Sequence, residues 1–329
     1  MRHLHYYRVS AKTHFELGYK LGKLFKSPSL DTYHAILKRI SFNTDLLAHS
    51  QQYLQITEDY FPSYVEEIKG YAKGLGVSFA SYWMAFLNEE LDVYPEKCTS
   101  IVTNNGLLIG HNEDYDDHFK KRLALVEKTV GQTTIMELFY YNSLGGSACS
   151  INSHGYVQTI NTLTHTDERI GVPRNIIARW LSETKNPEKD FEKMKRMMRS
   201  LGYSHTFTSA KKKVVNIESS ANASLLSKVT TPYVHTNHYL TSLTTYEDNT
   251  DPEGNSRERY ERAMGGVKPQ MTVAEMQTLL EDVMSLASTK KRVSETIGRV
   301  VIDLFHKEWW CWLLREKEKG WVKYPIRFI

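Results

Sequence analysis

An abrupt change of hydrophobic pattern near residue 97 constrains the fold of this chain more than any other feature. Before it, apolar residues recur three and four positions apart, which is the spacing of one face of a helix. After Tyr94-Pro95 they come in short runs separated by glycines, a pattern typical of strands and hairpins. The elements predicted before the change are a short strand at 5–10 and helices at 14–26, 30–48, 62–75 and 78–93.

The part of the chain after residue 97 predicts two β-sheets. Strands, helices, strands, helices and strands follow one another, which is the layout of two sheets packed face to face with helical layers outside. The predicted helices lie at 172–184, 188–200, 255–265 and 272–287. Strands are predicted at 100–102, 107–109, 135–141, 156–161, 204–210, 213–218, 223–227, 232–236, 296–304 and 309–315.

Composition identifies a folded protein and excludes several classes of function. Hydrophobic residues make up 41% of the 329 positions and charged residues 24%, close to the globular average, so disorder and coiled coil fit poorly. The length allows about two domains. The net charge is only +4, and the first 97 residues contribute none of it. We therefore expect no nucleic-acid or membrane-surface partner.

The cysteine count indicates a reducing compartment. Three cysteines, Cys98, Cys149 and Cys311, are an odd number in a long chain, so a disulfide framework is not expected. The first eight residues lack the apolar region of a signal peptide, and no run approaches the ~18 consecutive apolar residues of a membrane span. These features favour a cytoplasmic protein in which any of the three thiols could act as a nucleophile.

Cys98 stands at the head of the first strand after the helical segment, followed by Thr99 and Ser100. If the Lys97–Cys98 bond were cut, the freed α-amine, with an ordinary pKa of about 7.7–8.0, would lie beside a thiol of ordinary pKa about 8.5. One residue would then hold both the nucleophile and its base. The alternative reading of Cys98 is a buried structural cysteine.

The segment Gly110-His111-Asn112-Glu113-Asp114-Tyr115 ends the next predicted strand. Two antiparallel strands joined at Thr103–Gly106 would return this segment to the side of Cys98, where a carboxylate could orient the amine and His111 could supply a donor. An acidic surface turn running on through Asp116-Asp117 is the alternative.

Two asparagines at predicted strand ends are candidate oxyanion donors. Asn237 lies in His235-Thr236-Asn237-His238, and Asn161 lies in Thr159-Ile160-Asn161-Thr162. Side-chain amides aimed at a developing oxyanion recur in acyl-transfer sites, although each asparagine could equally satisfy a turn. His235 and His238 have a spacing that some metal sites use, but no third ligand is evident nearby in the sequence. Trp309-Trp310-Cys311-Trp312 is interpreted as a core strand with alternating faces.

Together these residues resemble the penicillin acyltransferase family of N-terminal nucleophile hydrolases, which is distantly similar to the choloylglycine hydrolases. The family is named for acyl-coenzyme A:6-aminopenicillanic-acid acyltransferase, and the resemblance covers nearly the whole chain. Its matching segments are 61–74, Leu87-Asn88-Glu89-Glu90-Leu91, Cys98-Thr99-Ser100, Gly110–Tyr115, Asn152–Tyr156 with Asn161, Gly171-Val172-Pro173-Arg174 and His235–His238.

The resemblance implies an α+β fold, a four-layer αββα sandwich preceded by a helical pro-region. It implies that residues 1–97 stay attached as a small chain after self-cleavage, and that 98–329 form the catalytic region. Cys98 would be the nucleophile, Asp114 would orient its amine, and Asn237 would donate to the oxyanion. The nearest match to the family's late arginine is Arg292, and His111, Asn161 and Tyr115 are candidate substrate-binding residues.

Two positions depart from the family pattern. Lys97 replaces the usual glycine before the nucleophile, and glycine permits the strained backbone that helps an N-to-S acyl shift. His111 stands where the choloylglycine relatives carry an arginine, which argues against a bile-salt substrate.

The sequence therefore predicts a self-processing cysteine amidohydrolase or acyltransferase that acts on a small N-acyl amide or acyl thioester. It would need no metal or other cofactor, and its two cleaved chains would remain associated. The alternatives are an unprocessed or inactive relative that acts as a binding protein, an ordinary Cys/His hydrolase without self-cleavage, and a metal hydrolase using His235 and His238.

Overall fold

A computed structural model describes residues 4–39, 44–87, 97–115, 122–248, 255–285 and 295–329. Nine α-helices lie in this described part of the chain: α1 His14–Leu24, α2 Lys26–Arg39, α3 Thr44–Tyr60, α4 Pro62–Leu75, α5 Phe79–Phe86, α6 Arg174–Leu181, α7 Pro187–Met194, α8 Ser256–Gly266 and α9 Val273–Ser285. None of the described helices is both long enough and apolar enough to cross a bilayer.

Fourteen strands form two sheets in the described residues. Sheet A has the order β1-β4-β5-β6-β7-β8-β9-β10, and sheet B has the order β11-β2-β3-β12-β13-β14. The strands are β1 Tyr6–Ala11, β2 Lys97–Thr103, β3 Leu108–Tyr115, β4 Leu123–Val130, β5 Thr133–Tyr140, β6 Cys149–Asn152, β7 Val157–Thr162, β8 Tyr203–Ser209, β9 Lys212–Ser219, β10 Ser224–Lys228, β11 Tyr233–His235, β12 Glu295–Asp303, β13 Glu308–Leu313 and β14 Val322–Pro325.

Three hydrophobic clusters define four layers. The first joins helices α1, α4 and α6 to sheet A through Leu17, Ile68, Ile177 and Phe139. The second fills the space between the sheets, where Leu125 and Leu138 of sheet A join a cluster with Val102 and Val300 of sheet B. The third joins sheet B to α8 and α9. The predicted four-layer αββα sandwich is therefore confirmed.

The sequence placed most elements correctly and missed a few. The single helix expected over 30–48 is two helices, α2 and α3, and residues 88–93 of the helix expected at 78–93 lie outside the described residues. Strands β4, β6 and β14 were not predicted. In β13, Trp309 and Cys311 are buried toward sheet A while Trp310 packs toward the α9 layer, so the alternating interpretation is confirmed.

Residues 4–87 contribute a strand to sheet A and also pack helices against one face of it. Strand β1 pairs in parallel with β4 at the edge of the sheet. The buried carboxylate of Glu67 in α4 accepts two hydrogen bonds from Arg179 in α6, from Nε at 3.2 Å and from Nη2 at 3.1 Å. Residues on the two sides of position 97 thus share one sheet and one buried ion pair.

The backbones of helices α1 and α4 touch where the helices cross, because glycines line the contacting face of each helix. A Cβ atom added at Gly18 would lie 1.8 Å from the Glu67 carbonyl oxygen, and one at Gly70 would lie 2.1 Å from the Phe15 carbonyl oxygen. Real Cβ atoms essentially never come that close to backbone, so these positions require glycine. This crossing orients the helical layer on sheet A.

We expect Gly70→Ala to lower the free energy of unfolding by at least about 1–3 kcal/mol, because the added methyl group forces two backbones apart. The matched control is Gly265→Ala in α8, where nothing lies within 4 Å of an added Cβ and the change should be neutral or stabilising by up to about 1 kcal/mol. Urea unfolding of both variants measures the difference, and equal effects would contradict the close crossing.

Candidate active site

The hairpin of β2 and β3 brings Cys98 and the 110–115 segment together, as the sequence predicted. A tight turn at Asn104–Gly106 joins the strands, with Asn105 and Gly106 in the left-handed region at φ 55° and 90°. The antiparallel register places Cys98 opposite Glu113 and Ser100 opposite His111. Paired residues project from the same face of a sheet, so these four side chains meet between the two sheets.

The Cys98 thiol is buried against a carboxylate. Its Sγ lies 3.7 Å from Glu113 Oε1 and donates to it, and the cysteine is only 1% exposed. The Tyr140 hydroxyl, from β5 of sheet A, donates to the same carboxylate oxygen at 2.7 Å. Both sheets therefore contribute to the surroundings of this thiol.

A chain of hydrogen bonds continues from Glu113. Its Oε2 lies 2.7 Å from His111 Nε2, and His111 Nδ1 lies 3.1 Å from the Ser100 hydroxyl. Ser100 donates its only hydrogen to Asn161 Oδ1 at 2.9 Å, so it must accept from His111 Nδ1–H. The hydrogen bond between His111 Nε2 and Glu113 Oε2 therefore contains one further proton, carried by either the imidazole or the carboxyl group. In both cases the charges of His111 and Glu113 add up to zero, so the two residues form a neutral unit.

Burial sets the electrostatics of this cluster. Loss of hydration raises the pKa of the Glu113 carboxyl, while hydrogen bonds from His111 and Tyr140 lower it and the nearby Asp114 charge raises it. Burial, with a contribution from the Glu113 charge, also raises the pKa of Cys149 well above its usual range. Cys149 and Cys311 are buried strand residues.

The main chain of Cys98 is held on both sides of its Cα. The Cys98 N–H donates to Asn237 Oδ1 at 2.9 Å, and Arg259 Nη1 in α8 donates to the Cys98 carbonyl oxygen at 2.7 Å. Arg259 Nη2 also donates to Asn237 Oδ1 at 2.7 Å. The Asn237 amide nitrogen donates to the Thr162 carbonyl at 3.0 Å. In this arrangement Asn237 presents its oxygen to the cysteine nitrogen.

Asp114 and Lys97 face the opposite side of sheet B from the thiol. They pair with each other in the register, and alternate residues of a strand point to opposite faces. Asp114 Oδ1 accepts from Thr296 Oγ1 at 2.7 Å. Burial raises the pKa of Asp114, against the charges of Arg259 and Arg299, which lower it. Asp114 thus lies in the layer that packs on α8 and α9.

The structure brings four of the eight predicted site residues together. Cys98, His111, Asn161 and Asn237 are within this one hydrogen-bonded cluster, and Asn161 also donates to the His235 carbonyl at 3.3 Å. Tyr115 is buried at the end of β3, with its ring 5.8 Å from that of Tyr140. Arg292, Asp116 and Asp117 lie outside the described residues.

The histidines considered as metal ligands have other partners. His235 Nε2 lies 2.8 Å from Glu218 Oε1, and His238 Nδ1 lies 2.8 Å from Ser256 Oγ. Cys98, His111 and Glu113 do bring their possible ligand atoms within 4.8 Å of one another. Both Glu113 oxygens and both His111 nitrogens are engaged in the hydrogen bonds described above, so this cluster is arranged as a proton network.

Sequence reasoning missed two functional candidates, Glu113 and Arg259. Glu113 could have been found by folding the hairpin about its asparagine turn, which pairs it with Cys98. For Arg259 the signal is weak: it lies four residues before Ala263, and these two residues form the buried face of an otherwise polar helix.

Comparison with known proteins identifies the family. Residues 101–318 match the family described as acyl-coenzyme A:6-aminopenicillanic acid acyl-transferase. The chain is 29% identical over 214 residues to the beta-alanyl-dopamine/carcinine hydrolase of Drosophila melanogaster, an alignment covering 56% of this chain and 55% of that protein. The chain thus spans about half the length of this curated relative.

Two solved structures match part of the chain at 11% sequence identity. A mutant form of the conjugated bile acid hydrolase from Clostridium perfringens matches over 70% of this chain and 92% of its own, with a TM-score of 0.48. Penicillin V acylase from Agrobacterium tumefaciens matches over 66% and 82%, with a TM-score of 0.46.

Because the family match spans more than half of its length, this chain belongs to the acyl-coenzyme A:6-aminopenicillanic acid acyl-transferase family. The family's description names an acyltransferase, and the name of the curated relative is that of a hydrolase. The resemblance predicted from the sequence is confirmed.

We expect Arg259→Met to lower the free energy of unfolding by at least about 1–3 kcal/mol, because the buried Cys98 carbonyl and Asn237 oxygen each lose a charged donor. Arg262→Met is the matched control, since Arg262 lies on the same helix but pairs with Asp282 in solvent and should matter little. Urea unfolding compares them. If both variants lost the same small amount of unfolding free energy, Arg259 would not be an important donor to Cys98 and Asn237.

Proposed function

We propose that this protein is a self-processing cysteine amidohydrolase or acyltransferase. Cys98 attacks the carbonyl carbon of Lys97, and the Lys97–Cys98 C–N bond breaks, which frees the Cys98 α-amine and leaves a thioester. Hydrolysis of that thioester restores the Cys98 thiol. The mature thiol then attacks a small N-acyl amide or acyl thioester, and the acyl group passes through Cys98 to water or to an amine. Family membership supports the reaction class.

The observation that carries this proposal is the way Cys98 is held. Its nitrogen faces Asn237 Oδ1 at 2.9 Å, its carbonyl faces Arg259 Nη1 at 2.7 Å, and its thiol faces Glu113. A core cysteine can be held by packing alone, and Cys311 belongs to the hydrophobic cluster between the sheets. Polar partners on the nitrogen, the carbonyl and the sulfur favour a reactive residue over a structural one.

Asn237 would orient the amine of the cut protein. Its amide oxygen already accepts from the Cys98 nitrogen, and an amine at that position could donate to the same oxygen. Such a contact holds the lone pair of the amine in a fixed relation to the thiol, as a base within one residue requires. An oxyanion role for Asn237 would need its amide nitrogen to leave Thr162, and this role stays a prediction, as does the role of Asp114.

The substrate class is suggested by the curated relative, whose name gives β-alanyl-dopamine and carcinine. We propose small N-acylated amines of this kind as substrates. The pro-region and catalytic region would remain one folded unit, and no metal is needed for any step.

Cys98→Ala should abolish both the cut and the hydrolysis of β-alanyl-dopamine, because both need the sulfur. Intact mass spectrometry of purified wild-type protein should show one fragment ending at Lys97 and one beginning at Cys98. Cys311→Ala is the matched control: it removes a buried thiol outside the site and should still be cut, although it loses core packing.

Two results would contradict this proposal in different ways. A Cys98→Ala protein that still splits or still hydrolyses the substrate would exclude Cys98 as the nucleophile. A wild-type protein that remains a single chain yet is active would identify an ordinary cysteine hydrolase without self-cleavage.

After the cut, both fragments should elute together in size-exclusion chromatography. Strand β1 remains paired with β4 in sheet A, and the buried Glu67–Arg179 pair spans the two fragments. Arg179→Met leaves the Glu67 carboxylate buried without that partner, which costs about 3–5 kcal/mol for a pair of this kind. The variant should therefore release its small fragment at lower urea concentrations than wild type. Equal release would contradict this role of the pair.

A further inference from the structure

The uncut chain lacks the base that the mature enzyme would use. Before cleavage the Cys98 nitrogen belongs to a peptide bond, and its hydrogen is donated to Asn237 Oδ1. A peptide nitrogen has no basic lone pair, because resonance delocalises it into the carbonyl. The first attack on Lys97 therefore needs a proton acceptor other than the amine of Cys98.

Glu113 is in the position of such an acceptor. Its Oε1 is the atom to which the Cys98 thiol donates, 3.7 Å from Sγ. The β2–β3 register fixes this contact, because the two residues are directly opposite each other. Tyr140 and His111 hold the two carboxylate oxygens, so the group is oriented before any proton moves.

We propose that Glu113 is the general base of self-cleavage, taking the proton from the Cys98 thiol in the uncut chain. This inference rests on the proposed function, since it assigns a residue to the cut that the function requires. Two groups would then act as the base at different stages. Glu113 accepts the thiol proton in the single self-cleavage, and the freed α-amine of Cys98 accepts it in later turnovers.

The cut conserves atoms and electrons at each stage. The thiol proton moves to Glu113 Oε1, and the sulfur electron pair forms a C–S bond with the Lys97 carbonyl carbon. When the tetrahedral intermediate collapses, the Lys97–Cys98 C–N bond breaks and the nitrogen takes the proton that Glu113 received. Water then hydrolyses the thioester, giving a carboxyl group on Lys97 and restoring the Cys98 thiol beside a free amine.

The neighbouring titratable groups favour Glu113 over the alternatives. Asp114 faces the other side of sheet B, where it meets Thr296. Both ring nitrogens of His111 already have partners, Nε2 with Glu113 and Nδ1 with Ser100. Cys149 from β6 and Tyr140 from β5 face the same carboxylate from sheet A. When the neutral unit formed by His111 and Glu113 accepts the thiol proton, it becomes a cation. The new positive charge then lies beside the new negative charge on the Cys98 sulfur.

The pKa of Glu113 also suits this task. Burial raises it above the ordinary range of a glutamate, toward that of the thiol whose proton it accepts. The cut should therefore accelerate as pH rises through the pKa of Glu113, since the acceptor must be ionised. Tyr140 lowers this pKa by donating to Oε1, so removing that hydroxyl should move the rise to higher pH.

The test follows the cut in full-length chains made by a short cell-free translation and diluted into buffers from about pH 5 to 9. General bases contribute about 10²–10⁴-fold in rate, so Glu113→Gln should slow the appearance of the fragment beginning at Cys98 by at least about 10²-fold. Glu218→Gln is the matched control, because Glu218 also pairs with a buried histidine, His235 at 2.8 Å, and has no assigned part in the cut.

The outcomes distinguish this inference from the proposed function. If wild type splits and Glu113→Gln splits at the same rate, Glu113 is not the base, while the proposed function stands. If wild type itself does not split, both fail. Circular dichroism shows whether Glu113→Gln has folded.

Tyr140→Phe decides the question even if Glu113→Gln does not fold. It keeps the ring and removes only the hydroxyl that donates to Glu113, so its rate–pH curve should rise at a higher pH than that of wild type. A merely structural role for Tyr140 would change the rate at every pH alike. An unshifted curve would overturn the proposal.

Discussion

The antiparallel pairing of β2 with β3 fixes which side chains meet at the candidate site. In the observed register Cys98 and Ser100 share a face with Glu113 and His111. A slip of one residue would move the thiol to the other face of the sheet and oppose it to a different partner. The asparagine–glycine turn at one end and the packing of β12 on the far side of β3 keep this register. The proposed chemistry depends on that pairing.

The same pairing explains why a polar cluster can lie between two sheets. Buried charges are stable only when they are paired and hydrogen-bonded. Glu113 receives donors from His111 and Tyr140, and Ser100 passes the chain of hydrogen bonds on to Asn161 in sheet A. Because strands from both sheets complete the network, the site forms only when the sandwich is assembled.

Much of the fold could be predicted from the sequence, because helices and strands have different hydrophobic periods. The spacing of Leu17, Leu21, Val65 and Ile68 marks two helices. Strands β4 and β6 were missed because they are buried over most or all of their length, and such strands lack a clear alternation. For the site, position and resemblance found Cys98, His111, Asn161 and Asn237. Glu113 was missed because the predicted hairpin was not given a register, which pairs Glu113 with Cys98. Arg259 was missed because Cys98 and Asn237 are distant from it in sequence and only helix packing brings them together.

The central claim is that Cys98, as a chain terminus, carries the acyl group. The most direct measurement stops a reaction with β-alanyl-dopamine in acid within milliseconds to seconds, digests the protein and analyses its peptides by mass spectrometry. We predict a β-alanyl adduct on a peptide whose first residue is Cys98. An adduct on any other residue, or on Cys98 still joined to Lys97, would contradict it.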